Sequence, residues 1–144
     1  QGRGEKVTPV SSPQPLPVVL VKPTAGLSTP SVFGRVAEFG FEDRQSIDDM
    51  LQVFTSGDLS GVGRALHNRL LEPALAVLPE LQGVVHLLQD FDVAGFQMTG
   101  SGSTFFMICR HANQAKNLAA RLRQMKLGAV IDTYTIGQPF GCAA

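Results

Sequence analysis

Ala94-Gly95-Phe96-Gln97-Met98, Thr99-Gly100-Ser101-Gly102-Ser103 and Thr104-Phe105-Phe106-Met107-Ile108-Cys109 follow one another without a break. The outer pieces carry large apolar and aromatic side chains and read as strands over 94–98 and 104–109. The middle piece holds only small residues and two glycines, which turn the chain sharply. Arg110-His111 ends the second strand, and Asn113 is placed to cap a helix with Ala115, Leu118, Ala119, Leu122 and Met125 on one face. Gly128 suits a left-handed C-cap for that helix. Val130 to Ile136 alternates apolar and polar residues and reads as a last strand.

Working back from the hairpin, Leu81, Val84, Val85 and Leu88 sit at i, i+3, i+4 and i+7, the spacing of one helix face. Pro79 marks the start of that helix, and Pro73 breaks or restarts the one before it. Asp58 or Ser60 caps a helix carrying Val62, Leu66 and Leu70. Ser46 caps another with Ile47, Met50, Leu51 and Phe54, ended by Gly57. Thr29-Pro30 reads as an N-cap followed by proline at the first helical position, with the helix running to about Ala37. Val18-Val19-Leu20-Val21 is a buried strand. Ser11 to Pro17 holds three prolines and reads as a linker, and Gly4 to Val10 as an extended arm. A strand, several helices, a hairpin, a helical crossover and a final strand predict an α+β fold. Its antiparallel sheet carries helices packed on one face, in a ferredoxin-like layout.

The chain has 144 residues, 44% hydrophobic and 17% charged, with 12 basic and 12 acidic side chains and no net charge. That is globular composition, and it favours neither nucleic acid nor an acidic membrane surface as partner. No apolar run approaches the ~20 residues of a membrane span, and no secretory signal is visible. Cys109 and Cys142 lie in unlike contexts, so a disulfide framework is not expected and a reducing compartment is. The chain opens Gln1-Gly2-Arg3-Gly4-Glu5 without a methionine, and is expected to be a piece of something longer.

The glycine turn is the most informative chemical segment. Two glycines two apart, flanked by hydroxyls, let successive N–H groups converge on an anion. It lacks the Gly-Lys-Ser/Thr of a P-loop and the full dinucleotide fingerprint, and on spacing alone a plain turn between strands is the commoner meaning. Phe33, on a short helix beside a loop, is a candidate for stacking on a nucleobase, although a core position is the commoner role of such a ring. His67, His86 and His111 have no metal-ligand spacing. Asp48 and Asp49 diverge on a helix, and Asp90-Phe91-Asp92 reads as a solvated helix end. Arg121, Arg123 and Lys126 suit a helix C-terminus. His67 and Asn68 read as structural or surface residues of a helix. No serine, cysteine or lysine has a partner base, so the chain is not expected to be a self-sufficient catalyst.

Four stretches, taken in order, carry a resemblance. They are Gly2-Arg3-Gly4-Glu5 with Thr8-Pro9, then Val19 to Pro23 with Leu27-Ser28-Thr29-Pro30-Ser31-Val32-Phe33. Leu66-His67-Asn68-Arg69-Leu70 through Glu72-Pro73-Ala74 follows, then Met98 to Phe105. Together they resemble the C-terminal half of the 4-diphosphocytidyl-2-C-methyl-D-erythritol kinases, a family of the GHMP kinase superfamily. The last stretch is shared across the superfamily, and the first two point to this family.

The resemblance implies a parent enzyme that uses ATP and Mg²⁺ to phosphorylate the 2-hydroxyl of a cytidine-diphosphate-linked methylerythritol, a step of non-mevalonate isoprenoid synthesis. It implies that Phe33 stacks on the cytosine and that Thr29 lies in the same substrate pocket. Gly100, Ser101, Gly102 and Ser103 would lie near the nucleotide phosphates. The family's catalytic aspartate, its lysine and its ATP-cradling loop belong to an N-terminal half that these residues do not include. This chain is therefore expected to hold no catalytic residue and no metal ligand, to bind neither ATP nor Mg²⁺ by itself, and to be inactive alone. Its expected partners are that N-terminal GHMP domain and the cytidyl substrate, in a bacterial cytoplasm or plastid stroma. Residues 1–17 are expected to be an arm and Pro-rich linker from the N-terminal domain, and 18–144 the GHMP kinase C-terminal domain. Two alternatives stay open: the same domain of another GHMP small-molecule kinase, acting for instance on homoserine or a mevalonate phosphate, and a stand-alone ferredoxin-like ligand-binding module.

Overall fold

The computed structural model describes Val10, residues 14–40 and residues 46–136. Its sheet is built around β1 (Pro17–Pro23), which pairs antiparallel with β3 (Phe105–Ile108) on one side and β4 (Gly128–Tyr134) on the other. β2 (Gly95–Met98) pairs antiparallel with β3, so the order is β2-β3-β1-β4. This is the expected α+β class, with the first and last strands adjacent and the hairpin at one edge.

Side chains along a strand alternate between faces. Val19, Val21, Phe105, Met107 and Val130 point to one face, where they meet Leu81, Val85 and Leu88 of α5 (Leu81–Gln89). Ala115, Leu118, Ala119 and Leu122 of α6 (Ala112–Gln124) complete that layer, together with Val32 of α1 (Thr29–Gly34) and Ala74 of α4 (Leu71–Val77). Val18, Leu20, Phe106 and Ile108 point the other way. There a smaller cluster forms with Val62 of α3 (Leu59–Ala65) and Met50, Val53 and Phe54 of α2 (Ile47–Ser56). The larger helical layer is the expected one. The smaller is an addition, required because β1 has no polar side chain between Val18 and Val21 and so must be covered on both faces.

α3 reaches the sheet through two glycines. A Cβ on Gly63 would overlap the Ala94 carbonyl, and one on Gly95 would overlap the Gly63 backbone. The α2 and α3 caps match the sequence reading. Ser46 Oγ accepts from Asp48 N at 3.1 Å, Gly57 is left-handed at φ 78°, and Asp58 Oδ1 accepts from Gly61 N at 2.9 Å.

Several boundaries differ from expectation. α3 stops at Ala65, leaving Leu66 extended and Leu70 outside it, and Pro73 lies buried in the first turn of α4, where no intrahelical donor is lost. The α1 region is a helix to Gly34 followed by a separate 3₁₀ turn, Val36–Glu38, rather than one helix to Ala37. His111 caps α6 in place of Asn113, its Nδ1 accepting from Gln114 N at 3.1 Å. α6 ends at Gln124, so Met125 is 43% exposed and Lys126 takes the left-handed place at φ 54°. Gly128 opens β4 instead, where a Cβ would overlap the Lys22 carbonyl. Leu16 is buried and Pro17 already belongs to β1. The arm from Gly4 up to Pro9, and Cys142, lie outside the described residues. Cys109 is a free, buried thiol whose pKa burial pushes up, so it is a poor nucleophile.

Arg123 reaches from α6 across the sheet edge. Its Nη2 lies 2.7 Å from Asp132 Oδ1, and its Nε donates to Val130 O at 3.2 Å. The guanidinium hydrogen bond holds the Asp132 carboxyl below the ordinary aspartate value of 3.8. A lowered folded pKa contributes stability that is complete above the unfolded value and lost as pH falls through the folded one. Wild type is therefore expected to lose a small stability margin over Asp132→Asn as pH drops below about 3.8, measured by urea unfolding across an acid series. In the same assay at neutral pH, Gly63→Ala is expected to cost ~1–3 kcal/mol through overpacking against β2, lowering the midpoint with the slope unchanged.

Candidate functional site

The loop from Thr99 to Thr104 joins β2 to β3, and three neighbouring segments hold it. Within the loop, Thr99 N donates to Thr104 O at 2.8 Å and Gly102 N to Thr99 O at 3.0 Å. Gly100 and Gly102 take φ of 56° and 85°, and the Gly102–Ser103 peptide is cis. A Cβ at Gly102 would stand 2.9 Å from Leu27 Cδ1 and 2.6 Å from Met98 Sδ, whereas one at Gly100 meets nothing within 4 Å. Gly102 thus faces the interior and Gly100 open space.

From the β1–α1 connection, Ala25 O accepts from Ser103 Oγ at 2.7 Å. Ser103 is 5% exposed, so its hydroxyl is committed inward. The α1 start supplies the second anchor. Ser28 rather than Thr29 occupies the N-cap, making Thr29 the first helical residue. The Thr29 hydroxyl is thereby free of a capping role and pairs with Ser101 Oγ at 2.7 Å on the exposed side of the loop. The third anchor is Asn68, which the structure places on the turn between α3 and α4 rather than on a helix. Its Nδ2 donates to Met98 O at 2.7 Å and to Gly100 O at 2.8 Å, while its Oδ1 accepts from Leu70 N at 2.9 Å.

Thr29, Ser101 and the two glycines are therefore brought together. Phe33 stands one helical turn beyond Thr29, on α1, and is 57% exposed. It is not a core residue, which removes the commoner reading of its ring. Arg35 secures the end of α1: its guanidinium pairs with Glu38 at 2.8 Å and donates to Ala76 O at 2.9 Å. That pairing lowers the Glu38 pKa and raises that of Arg35.

Two grooves flank Asn68. One, of about 450 Å³, runs along Val36, Phe39, His67, Asn68 and Gln97. The other, of about 420 Å³, lies between Met50 of α2 and Thr99-Gly100 of the loop. Sequence reasoning placed Asn68 on a helix and gave it no role at the loop. No periodicity marks it, because its partners are carbonyls 30 and 32 residues away.

The donors present suit phosphate oxygens. The N–H groups of Gly100 and Ser101 donate to no described residue, and the Thr29 and Ser101 hydroxyls lie beside them. Among the described residues no group of three or more His, Cys, Asp or Glu is placed to hold a metal ion. The Thr29 and Ser101 hydroxyls and the glycine-turn N–H groups can meet the edge of a phosphate group. No described helix is long and apolar enough to cross a membrane.

The chain belongs to the GHMP kinases, and residues 50–126 match the family described as GHMP kinases C terminal. Its relatives are more specific. It is 34% identical over 122 residues to the 4-diphosphocytidyl-2-C-methyl-D-erythritol kinase of Exiguobacterium sibiricum, covering 85% of this chain and 42% of that protein. With the Corynebacterium glutamicum strain R kinase of the same name, identity is 32% over 144 residues, covering 99% of this chain and 45% of that one. A crystal structure of 4-(cytidine 5'-diphospho)-2C-methyl-D-erythritol kinase superposes with a TM-score of 0.76 at 28% identity, covering 92% of this chain and 47% of that one. The homoserine kinase of Cytophaga hutchinsonii shares the fold alone, with a TM-score of 0.65 at 16% identity, over 92% of this chain and 45% of that one. The chain spans less than half the length of the curated relatives it matches.

Gly102→Ala is expected to destabilise the domain more than Gly100→Ala. Both pay ~1–2 kcal/mol for a left-handed non-glycine backbone, and only the first adds a clash with Leu27 and Met98. Parallel thermal melts read the difference.

Proposed function

We propose that this chain is the substrate-binding C-terminal domain of an ATP-dependent kinase that phosphorylates the 2-hydroxyl of 4-diphosphocytidyl-2-C-methyl-D-erythritol, in non-mevalonate isoprenoid synthesis. One observation carries the reading beyond the family: Phe33 presents its ring to solvent one turn from Thr29, and Thr29 is tied to the glycine loop through Ser101. A flat aromatic face beside a set of phosphate-sized donors suits a ligand with a base at one end and phosphates at the other.

In this reading Phe33 stacks on the cytosine, and Thr29 with Ser101 orients the phosphate-bearing part of the substrate. Gly100 leaves room for close approach to the nucleotide phosphates. Ser103, also in the sequence-derived set, acts indirectly by fixing the turn against Ala25. When bound in the whole enzyme, ATP with Mg²⁺ supplies the transferred phosphoryl group and the cation that screens it. The groups that hold the metal, and the aspartate and lysine of catalysis, are assigned to a preceding N-terminal domain, joined by an arm and linker that ends before Leu16, since Leu16 and Pro17 pack with the sheet of this domain. The cytoplasm is the compartment this reading implies.

The assay is ADP release from ATP and Mg²⁺ with the cytidyl substrate. This chain alone is expected to give none, and a mixture with the N-terminal half of a full-length relative is expected to give turnover. Phe33→Ala in the active mixture should raise KM by about 5- to 150-fold, the equivalent of ~1–3 kcal/mol for one base–aromatic contact. An unchanged KM would instead assign the domain to a GHMP kinase whose substrate carries no base.

A further inference from the structure

We infer that Asn68 is the positioning residue of the glycine turn, holding the Gly100–Ser101 peptide so that the Ser101 N–H faces outward toward the ligand; the functional half of this inference rests on the reading above. Both amide hydrogens of Asn68 are spent on the turn, one on Met98 O where β2 ends and one on Gly100 O. Its carbonyl is spent on Leu70 N, which fixes the side chain to the α3–α4 turn. A primary amide is the one side chain of this size that offers two donors and an acceptor together.

The consequence follows from peptide geometry. A carbonyl and the next N–H lie on opposite sides of one rigid plane. Drawing the Gly100 carbonyl onto Asn68 therefore turns the Ser101 N–H the opposite way, toward the exposed side where Ser101 Oγ meets Thr29. Gly100 itself has open space around it, so packing does not set this peptide and the Asn68 bond does. Displacements of about 1 Å in such donors cost on the order of 10²-fold in rate in other enzymes.

Two variants separate this role from simple support of the turn. Asn68→Asp keeps an oxygen for Leu70 N and, at neutral pH, has no donor for Met98 O or Gly100 O. Asn68→Ala loses both functions. In this chain, amide exchange of Gly102 is expected to rise about tenfold or more in both variants, and Asn68→Asp should leave the amides of β1 unchanged. In the complemented kinase assay, Asn68→Asp should lower kcat about tenfold or more with little change in KM, because Phe33 is untouched. Part of the loss should return as pH falls and the new carboxyl regains one donor. Wild-type exchange at Gly102 in Asn68→Asp, with Asn68→Ala alone impaired, would overturn the inference and reduce Asn68 to a cap for Leu70. If the exchange result holds but the wild-type mixture shows no turnover, the positioning geometry stands and the kinase reading fails.

Discussion

Val18 to Val21 offers no polar side chain, and a strand of that kind is stable only with both faces covered and both edges paired. The rest of the domain answers that requirement. β3 and β4 flank β1, α5 and α6 supply the larger apolar layer, and α2 with α3 closes the smaller one. The β1–α1 connection leaves the strand at Pro23, since proline has no N–H to continue the ladder. The same strand therefore determines where the α1 start, with Thr29, arrives beside the glycine turn.

Glycines act here where two backbones meet. Gly63 and Gly95 let α3 lie directly on β2, and Gly128 lets β4 run close to Lys22 at the end of β1. Gly102 differs in packing at the turn beneath the side chains of Leu27 and Met98, while its neighbour Gly100 remains uncovered. Two glycines of one short motif thus serve opposite ends, one closing the interior and one keeping the surface open.

Most of the architecture was legible because it rests on periodicity and punctuation. The 3.6-residue spacing of Leu81, Val85 and Leu88, the Ser46 and Asp58 caps and the small-residue turn each have a local physical cause. The failures share another. Asn113 has better capping chemistry than His111, but β3 ends at Ile108 and so brings His111 to the helix start. Gly128 looked like a helix terminator because its real constraint, the Lys22 carbonyl, lies more than a hundred residues away in the chain. At the site, Thr29, Ser101 and the two glycines could be picked out from composition and resemblance. The inward commitment of Ser103 to Ala25, and the reach of Asn68 across to Met98 and Gly100, depend on tertiary contacts that no local pattern encodes.

The side chain of Arg123 has a consequence for assembly. Thr135 N bonds Leu16 O and Thr24 N bonds Leu127 O, so every second residue of β4 turns its peptide toward β1. By that alternation Val130, Asp132 and Tyr134 aim theirs outward, along an edge with no proline or lysine in it. Such an edge invites another strand to add on, and sheets left open in this way grow from molecule to molecule. Arg123 occupies the Val130 carbonyl and lays a guanidinium across that border. An incoming strand would find its first acceptor taken and a guanidinium, paired with Asp132, in its path at this edge of the four strands seen among the described residues.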